Sequence, residues 1–193
     1  ARSKGLDINI HPGSEVFFNF NLTKILDNPI TTIGNGKYML IEFHRLHFPK
    51  GYENEIFKLQ LKGVTPIIAH PERYRGVQQD INLVKKWIRR GYKIQIDCAS
   101  ILGGFGRETK RVAMDMLYNN LCHLIGSDSH NNKNRNFLLK PTLDKISEEL
   151  NDEIALILKN NSKRILDGKS IKEYYFNIKK KSFLNKIKSF FKE

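Results

Sequence analysis

The sequence predicts an α/β fold built on parallel strands, arranged as a sheet or a barrel. Three observations carry this. Short apolar runs alternate with longer stretches of helical periodicity, and such alternation with right-handed crossovers makes the strands parallel. Several runs are apolar nearly throughout, as strands buried on both faces are. One run after another ends on Glu, His or Asp.

The strand-like runs are Leu6–Ile10, Tyr38–Phe43, Val64–Ala69, Tyr92–Asp97 and Leu121–Gly126. Helical periodicity fills the gaps. Glu53–Lys62 carries Ile56, Leu59 and Leu61. Asp80–Arg90 carries Ile81, Val84, Trp87 and Ile88 and stops at Gly91, a residue suited to the left-handed position after a helix. Thr109–Asn120 carries Val112, Met116 and Leu117, and Pro141–Leu150 begins on a proline. A short capped helix is expected between Asn160 and Gly168.

The 193 residues suffice for one domain with a real core. Apolar residues make up 40% and charged residues 27%, ordinary for a globular protein. No apolar run approaches the roughly 20 residues needed to span a bilayer. The start, Ala1 to Gly5, is polar and basic, unlike a signal peptide. Cys98 and Cys122 make no disulfide framework and read as buried thiols, which fits a reducing cytoplasm.

The net charge of +13 is uneven, because Lys169–Glu193 holds eight Lys against two Glu and so carries +6 of it. The rest is only mildly basic and bears no recognised nucleic-acid motif, so nucleic acid is not an expected partner.

The chemistry lies where the strands end. Tyr38-Met-Leu-Ile-Glu42 ends on Glu42, and Val64-Thr-Pro-Ile-Ile-Ala-His70 on His70. Leu121-Cys-His-Leu-Ile-Gly-Ser-Asp128-Ser-His130 ends on Asp128 and His130, and Glu15 follows the first run in His11-Pro-Gly-Ser-Glu15. Carboxyl ends of parallel strands share one face, so Glu15, Glu42, His70, Asp128 and His130 can converge. Carboxylates with imidazoles suit divalent transition metals such as Mn, Fe or Zn. Taken singly, a strand-end His is most often structural; five such residues at four strand ends are hard to assemble by chance. Arg73 and Arg135 stand beside this set, and a guanidinium binds phosphate bidentately.

These residues resemble the polymerase-and-histidinol-phosphatase superfamily, and within it the manganese-dependent tyrosine phosphatases of bacterial capsule and exopolysaccharide loci. The resemblance rests on Pro12-Gly-Ser-Glu15, Leu40-Ile-Glu-Phe43, Ile68-Ala-His-Pro-Glu-Arg-Tyr74 and Gly126-Ser-Asp-Ser-His-Asn131 with Arg135, and runs from about Leu6 to about Gly168. It implies a distorted, TIM-like (β/α) barrel holding a metal cluster. Glu15, Glu42, His70, Asp128 and His130 would be ligands, Arg73 and Arg135 would take the substrate phosphate, and the metal would be manganese, with iron or zinc as alternatives.

The family also places a His-x-His pair after its first strand and a further His after its second. None of the six His here (11, 44, 47, 70, 123 and 130) forms such a pair upstream of Glu15. A full barrel runs to about 250 residues. The expectation is therefore a partial barrel lacking its first strand or strands and a helix.

The implied reaction is hydrolysis of phosphotyrosine by a metal-activated water, without a protein nucleophile. Neither cysteine sits in a Cys-x5-Arg loop, which argues against thiol chemistry. The implied substrate is a phosphotyrosine protein, a membrane-associated tyrosine kinase controlling capsule synthesis. Two rivals stand beside it: a small-metabolite phosphatase of the histidinol phosphate type, and a truncated non-catalytic binding module. Glu72 is either a partner that orients a ligand or a surface carboxylate, Tyr74 is a candidate for lining the pocket, and His44, His47 and His123 read as structural. Gly103-Gly-Phe-Gly106 reads as a flexible turn near the mouth of the site.

Residues 1–168 are read as the phosphatase domain and 169–193 as a basic tail. Phe183, Leu184, Ile187, Phe190 and Phe191 fall on one helical face with Lys opposite, a pattern that suits an anionic membrane surface or a partner subunit. The expected location is cytoplasmic, with this tail a means of peripheral attachment to the inner membrane face. Oligomeric state is open, a homo-oligomer included.

Overall fold

The computed structural model describes residues 5, 8–133 and 135–174. The amphipathic stretch of the tail lies outside the described residues. Five strands form one sheet in sequence order: β1 (Glu15–Phe17), β2 (Tyr38–Glu42), β3 (Thr65–Ala69), β4 (Lys93–Asp97) and β5 (Leu124–Gly126). Every neighbouring pair is parallel. The expected parallel α/β architecture is therefore present. Each strand lies beside the next in the chain because a helical crossover returns the chain to the same end of the sheet.

The crossovers are α1 (Tyr52–Leu61), α2 (Arg75–Gln79), α3 (Asn82–Arg89), α4 (Cys98–Leu102) and α5 (Arg107–Tyr118), followed beyond β5 by α6 (Leu139–Glu149) and α7 (Asp152–Leu166). No helix among the described residues is long and apolar enough to cross a membrane.

Two elements depart from the sequence expectations. Residues 8–10 form no strand, and their isoleucines are exposed. The first strand is instead Glu15–Phe17, which pairs with Leu40–Glu42. Three residues are too few to show a period, so pairing rather than pattern decides this strand. Around residue 160 the chain forms not a short helix but a 15-residue one, with Asn151 at its N-cap accepting from the Ile154 amide at 2.9 Å.

Strand alternation sorts the side chains. Met39, Ile41, Phe43, Ile68, Ile94, Ile96 and Ile125 point outward into the main core, against Ile56, Leu59, Val84, Trp87, Met116 and Leu158 from the helices. Leu61, expected on the buried face of α1, is 70% exposed. Aromatic rings fill the core beneath β2: Phe18 stacks on Phe43 at 4.9 Å, and Phe48 meets Trp87 edge-on at 5.5 Å. Trp87 donates to the Tyr52 hydroxyl at 2.9 Å, which satisfies its buried N–H.

The opposite face carries Tyr38, Ile67 and Leu124 in a smaller cluster with Ile165. Residues 169–174 cross beneath the amino ends of the strands. Tyr38 donates to the Lys169 carbonyl at 2.8 Å, Asn161 and Lys172 exchange two bonds of 2.9 Å, and Lys93 pairs with Glu173. These contacts tie residues 169–173 to the amino ends of β2 and β4, away from the polar strand ends.

Candidate metal centre

The alternation that sends Ile41 and Phe43 outward sends Glu42 to the inner face. His70 follows the last residue of β3, where the chain turns through a left-handed backbone with φ +30° before a short 3-10 turn, Pro71–Arg73. Asp128, two residues past β5, also has positive φ, +42°. Outside glycine such backbone is sparsely populated and clusters at functional sites. Both turns re-aim a polar side chain at the mouth of the sheet.

Glu15, Glu42 and His70 come together, with one donor atom from each inside a sphere in which all lie within 4.8 Å of one another. His70 Nε2 is 2.8 Å from Glu15 Oε1 and 3.5 Å from Glu42 Oε1. The imidazole is nearly buried, while the carboxylates keep 28% and 31% of their exposure, so the cluster opens to solvent. Burial works against a charged His70, but the Glu15 hydrogen bond and the Glu15 and Glu72 charges outweigh it, and its pKa rises above the usual histidine value. Two carboxylates and an imidazole sharing so small a volume fit a divalent transition ion.

The remaining predicted residues form an adjoining group. Arg73 NH1 is 3.0 Å from Asp128 Oδ2, and Arg135 NH2 pairs with the same oxygen. His130 stands at the exposed rim, its Nδ1 2.8 Å from the Asp128 carbonyl oxygen. The five expected ligands thus divide: three share a donor cluster, and Asp128 and His130 sit with the two arginines. His70 and Arg73, three residues apart on one turn, join the two groups.

Two residues escaped the sequence reading, and a third, Glu72, stood there with two alternatives. Asp97 ends β4 on the inner face, nearly buried, with Oδ2 3.4 Å from Arg73 NH1. Its pKa is raised by burial and by the Asp128 charge, against the pull of the Ala99 amide and of Arg73. The signal was available, since Asp97 ends a strand just as Glu42 does. Phe105 lies under the Arg73 guanidinium at 4.6 Å, so the glycine-flanked turn supplies an aromatic face. Glu72 is not a surface carboxylate: it is fully buried, accepts from the Asp97 amide at 3.0 Å, and has a pKa pushed up to about 7 by that burial.

Tyr74 does not line the pocket. It is fully buried, and its hydroxyl accepts from the Phe43 amide at 2.9 Å. His123 is a buried structural residue, and His44 and His47 lie against each other on the surface, their rings tilted with centroids 4.4 Å apart. Both thiols are buried, and burial pushes Cys98 up to about 11 and raises Cys122 further still.

The fold and site define a parallel α/β protein with a candidate divalent-metal centre and a pair of guanidiniums at the carboxyl ends of its strands. By residues 1–167 the chain belongs to the CpsB/CapC family of capsular polysaccharide synthesis. It is 33% identical over 168 residues to the tyrosine-protein phosphatase YwqE of Bacillus subtilis, covering 86% of this chain and 66% of that protein. It is 36% identical over 160 residues to the putative tyrosine-protein phosphatase CapC of Staphylococcus aureus, covering 81% and 62%. The chain thus spans a little under two thirds of these relatives. Its fold matches a chain from the crystal structures of YwqE and of CpsB from Streptococcus pneumoniae, described as metal-dependent tyrosine phosphatases. The TM-score is 0.83 and the identity 30%, over 90% of this chain and 70% of that one.

Proposed function

We propose that this chain belongs to a metal-dependent protein-tyrosine phosphatase acting in capsule or exopolysaccharide synthesis. The observation that carries this is the Glu15–Glu42–His70 donor cluster beside Arg73 and Arg135. Relatives named tyrosine-protein phosphatases support the substrate class.

In this reading Glu15, Glu42 and His70 hold the ion, with Asp128 and His130 as further ligands, and manganese is the metal. A divalent ion held there would supply a water of lowered pKa and would offset charge on phosphoryl oxygens. Arg73 and Arg135 bind the remaining phosphate oxygens and orient the ester for in-line attack. Neither thiol takes part, since both are buried and fully protonated at neutral pH. The sheet is read as an arc of the TIM-like barrel and residues 1–168 as the catalytic unit. The protein acts in the cytoplasm on a membrane-associated tyrosine kinase, with the basic tail as a means of reaching the membrane.

The deciding experiment measures phosphate release from a phosphotyrosine peptide and from histidinol phosphate, each with Mn²⁺ and with chelator. Hydrolysis of the peptide that needs Mn²⁺ and disappears in Glu42→Ala is the expected result. Preference for histidinol phosphate would favour the metabolite rival. Mn²⁺-independent hydrolysis, or none from either substrate, would overturn the proposal.

A further inference from the structure

Arg73 is held more elaborately than a loop arginine needs. Its side chain is 10% exposed. Asp128 Oδ2 lies 3.0 Å from NH1, Asp97 Oδ2 lies 3.4 Å from the same nitrogen, and the Phe105 ring covers the guanidinium at 4.6 Å. The two carboxylates differ in kind. Asp128 stands beside the donor cluster and shares its oxygen with Arg135, so a bound cation would compete for that oxygen and a phosphate would compete with it for the guanidiniums. Among the described residues, Asp97 Oδ2 pairs with Arg73 and with no second arginine.

Asp97 is also fixed in place from several sides. Its Oδ1 accepts from the Ala99 amide at 2.7 Å and caps α4. Its own amide donates to Glu72 Oε1 at 3.0 Å, and Glu72 is fully buried on the turn that carries Arg73. The Glu72 bond therefore ties the end of β4 to the turn after β3, and Asp97 Oδ2 is the atom left to face the guanidinium. A buried carboxylate aimed at a buried guanidinium is costly unless the pair holds its geometry.

We propose that Asp97 is a positioning residue, which keeps Arg73 aimed at the substrate phosphate when Asp128 is drawn to a metal ion or to Arg135. It touches neither phosphate nor metal and acts through Arg73 alone. The proposal rests on the phosphatase reading for its purpose, though the geometric claim stands apart from it.

The test is Asp97→Asn in the full chain, since Asn keeps the helix cap and the volume while removing the charge. The first readout is rotation of the Arg73 guanidinium by side-chain nitrogen NMR, with the diamagnetic ion Zn²⁺ present and no substrate. Rotation is expected to speed up by about tenfold, the scale of one charge-assisted hydrogen bond. Unchanged rotation overturns the proposal, whether or not the protein is a phosphatase.

The second readout is kinetic, with an aryl phosphate as substrate. KM should rise by about tenfold with kcat little altered, while Mn²⁺ affinity stays as in the unsubstituted protein. In an Arg73→Ala background Asp97→Asn should add almost nothing. An additive effect there, or a loss of Mn²⁺ affinity, would place Asp97 among the metal-holding groups and overturn its role. A chain without activity whose Arg73 is nonetheless freed by Asp97→Asn would sink the phosphatase reading and leave the positioning intact.

Discussion

His70 Nε2 and Glu15 Oε1 lie 2.8 Å apart although 55 positions separate them in the chain. The pairing depends on β1 standing beside β2 and β2 beside β3, so that residues from three separate segments meet at one mouth. This contact is a hydrogen bond, and its two atoms belong to a donor set small enough to suit a divalent cation.

Metal binding should fall when one donor is removed. Changing even the partners that orient metal ligands commonly weakens affinity by 10–100-fold, so loss of a ligand itself in Glu42→Ala or His70→Ala should exceed roughly 100-fold. Titration calorimetry with Mn²⁺ checks this. Binding unchanged in both variants would remove the cluster from consideration as a metal centre.

Acid should destabilise the fold through His123. Burial, with help from the Lys93 charge, lowers its pKa from 6.5 to about 4. Its Nδ1 accepts from the Ile94 amide at 3.2 Å, so the ring is held neutral and protonation at Nδ1 would break that bond. Because the folded pKa is below the unfolded one, this contribution is full above pH 6.5 and is lost as pH falls toward 4. The loss amounts to roughly 3 kcal/mol. Urea unfolding of His123→Gln should show a shallower fall in stability between pH 7 and pH 4 than the unsubstituted chain.

Tyr74→Phe should destabilise without opening a cavity. The buried Phe43 amide would lose its acceptor, at a cost of about 1–3 kcal/mol. Because Phe43 follows Glu42, the same change should also loosen the donor cluster. Urea midpoints measured with and without Mn²⁺ separate the two effects, and a variant as stable as the parent would contradict the hydrogen bond.

Gly34→Ala should be among the most damaging single substitutions. Gly34 has φ +67°, and a Cβ there would overlap the Ile165 carbonyl oxygen and lie 2.9 Å from Gly168 Cα. A methyl group needs both a strained backbone and a displaced helix end, so the loss should exceed about 2 kcal/mol. Thermal unfolding checks it, with Gly36→Ala as a control: Gly36 shares the positive φ but has open space around it.

The tail gives a separable prediction. Removing residues 178–193 should abolish sedimentation with anionic vesicles and leave thermal stability unchanged, because the lysines and apolar face that suit a charged bilayer all lie in that stretch. Vesicle binding that persists after truncation would discard membrane docking.

The sequence by itself determined the parallel α/β plan, since unbroken apolar runs followed by amphipathic stretches leave few other ways to bury that surface. It also determined that Glu42, His70 and Asp128 stand where strands end, because strand length and alternation are local properties. What it could not determine is which of those side chains meet. The short β1 exists only through its pairing with β2, and the isoleucines of residues 8–10 proved to be exposed coil. Asp97 ends a strand in sequence and in structure alike, but only the turn after β3 gives it Arg73 as a partner. Glu72 and Tyr74, two and four positions after His70, went into the interior rather than the mouth. Relative strand register and the left-handed turns at His70 and Asp128 decide these contacts. Both depend on interactions across the sheet rather than on periodicity along the chain, so only the folded structure holds that information.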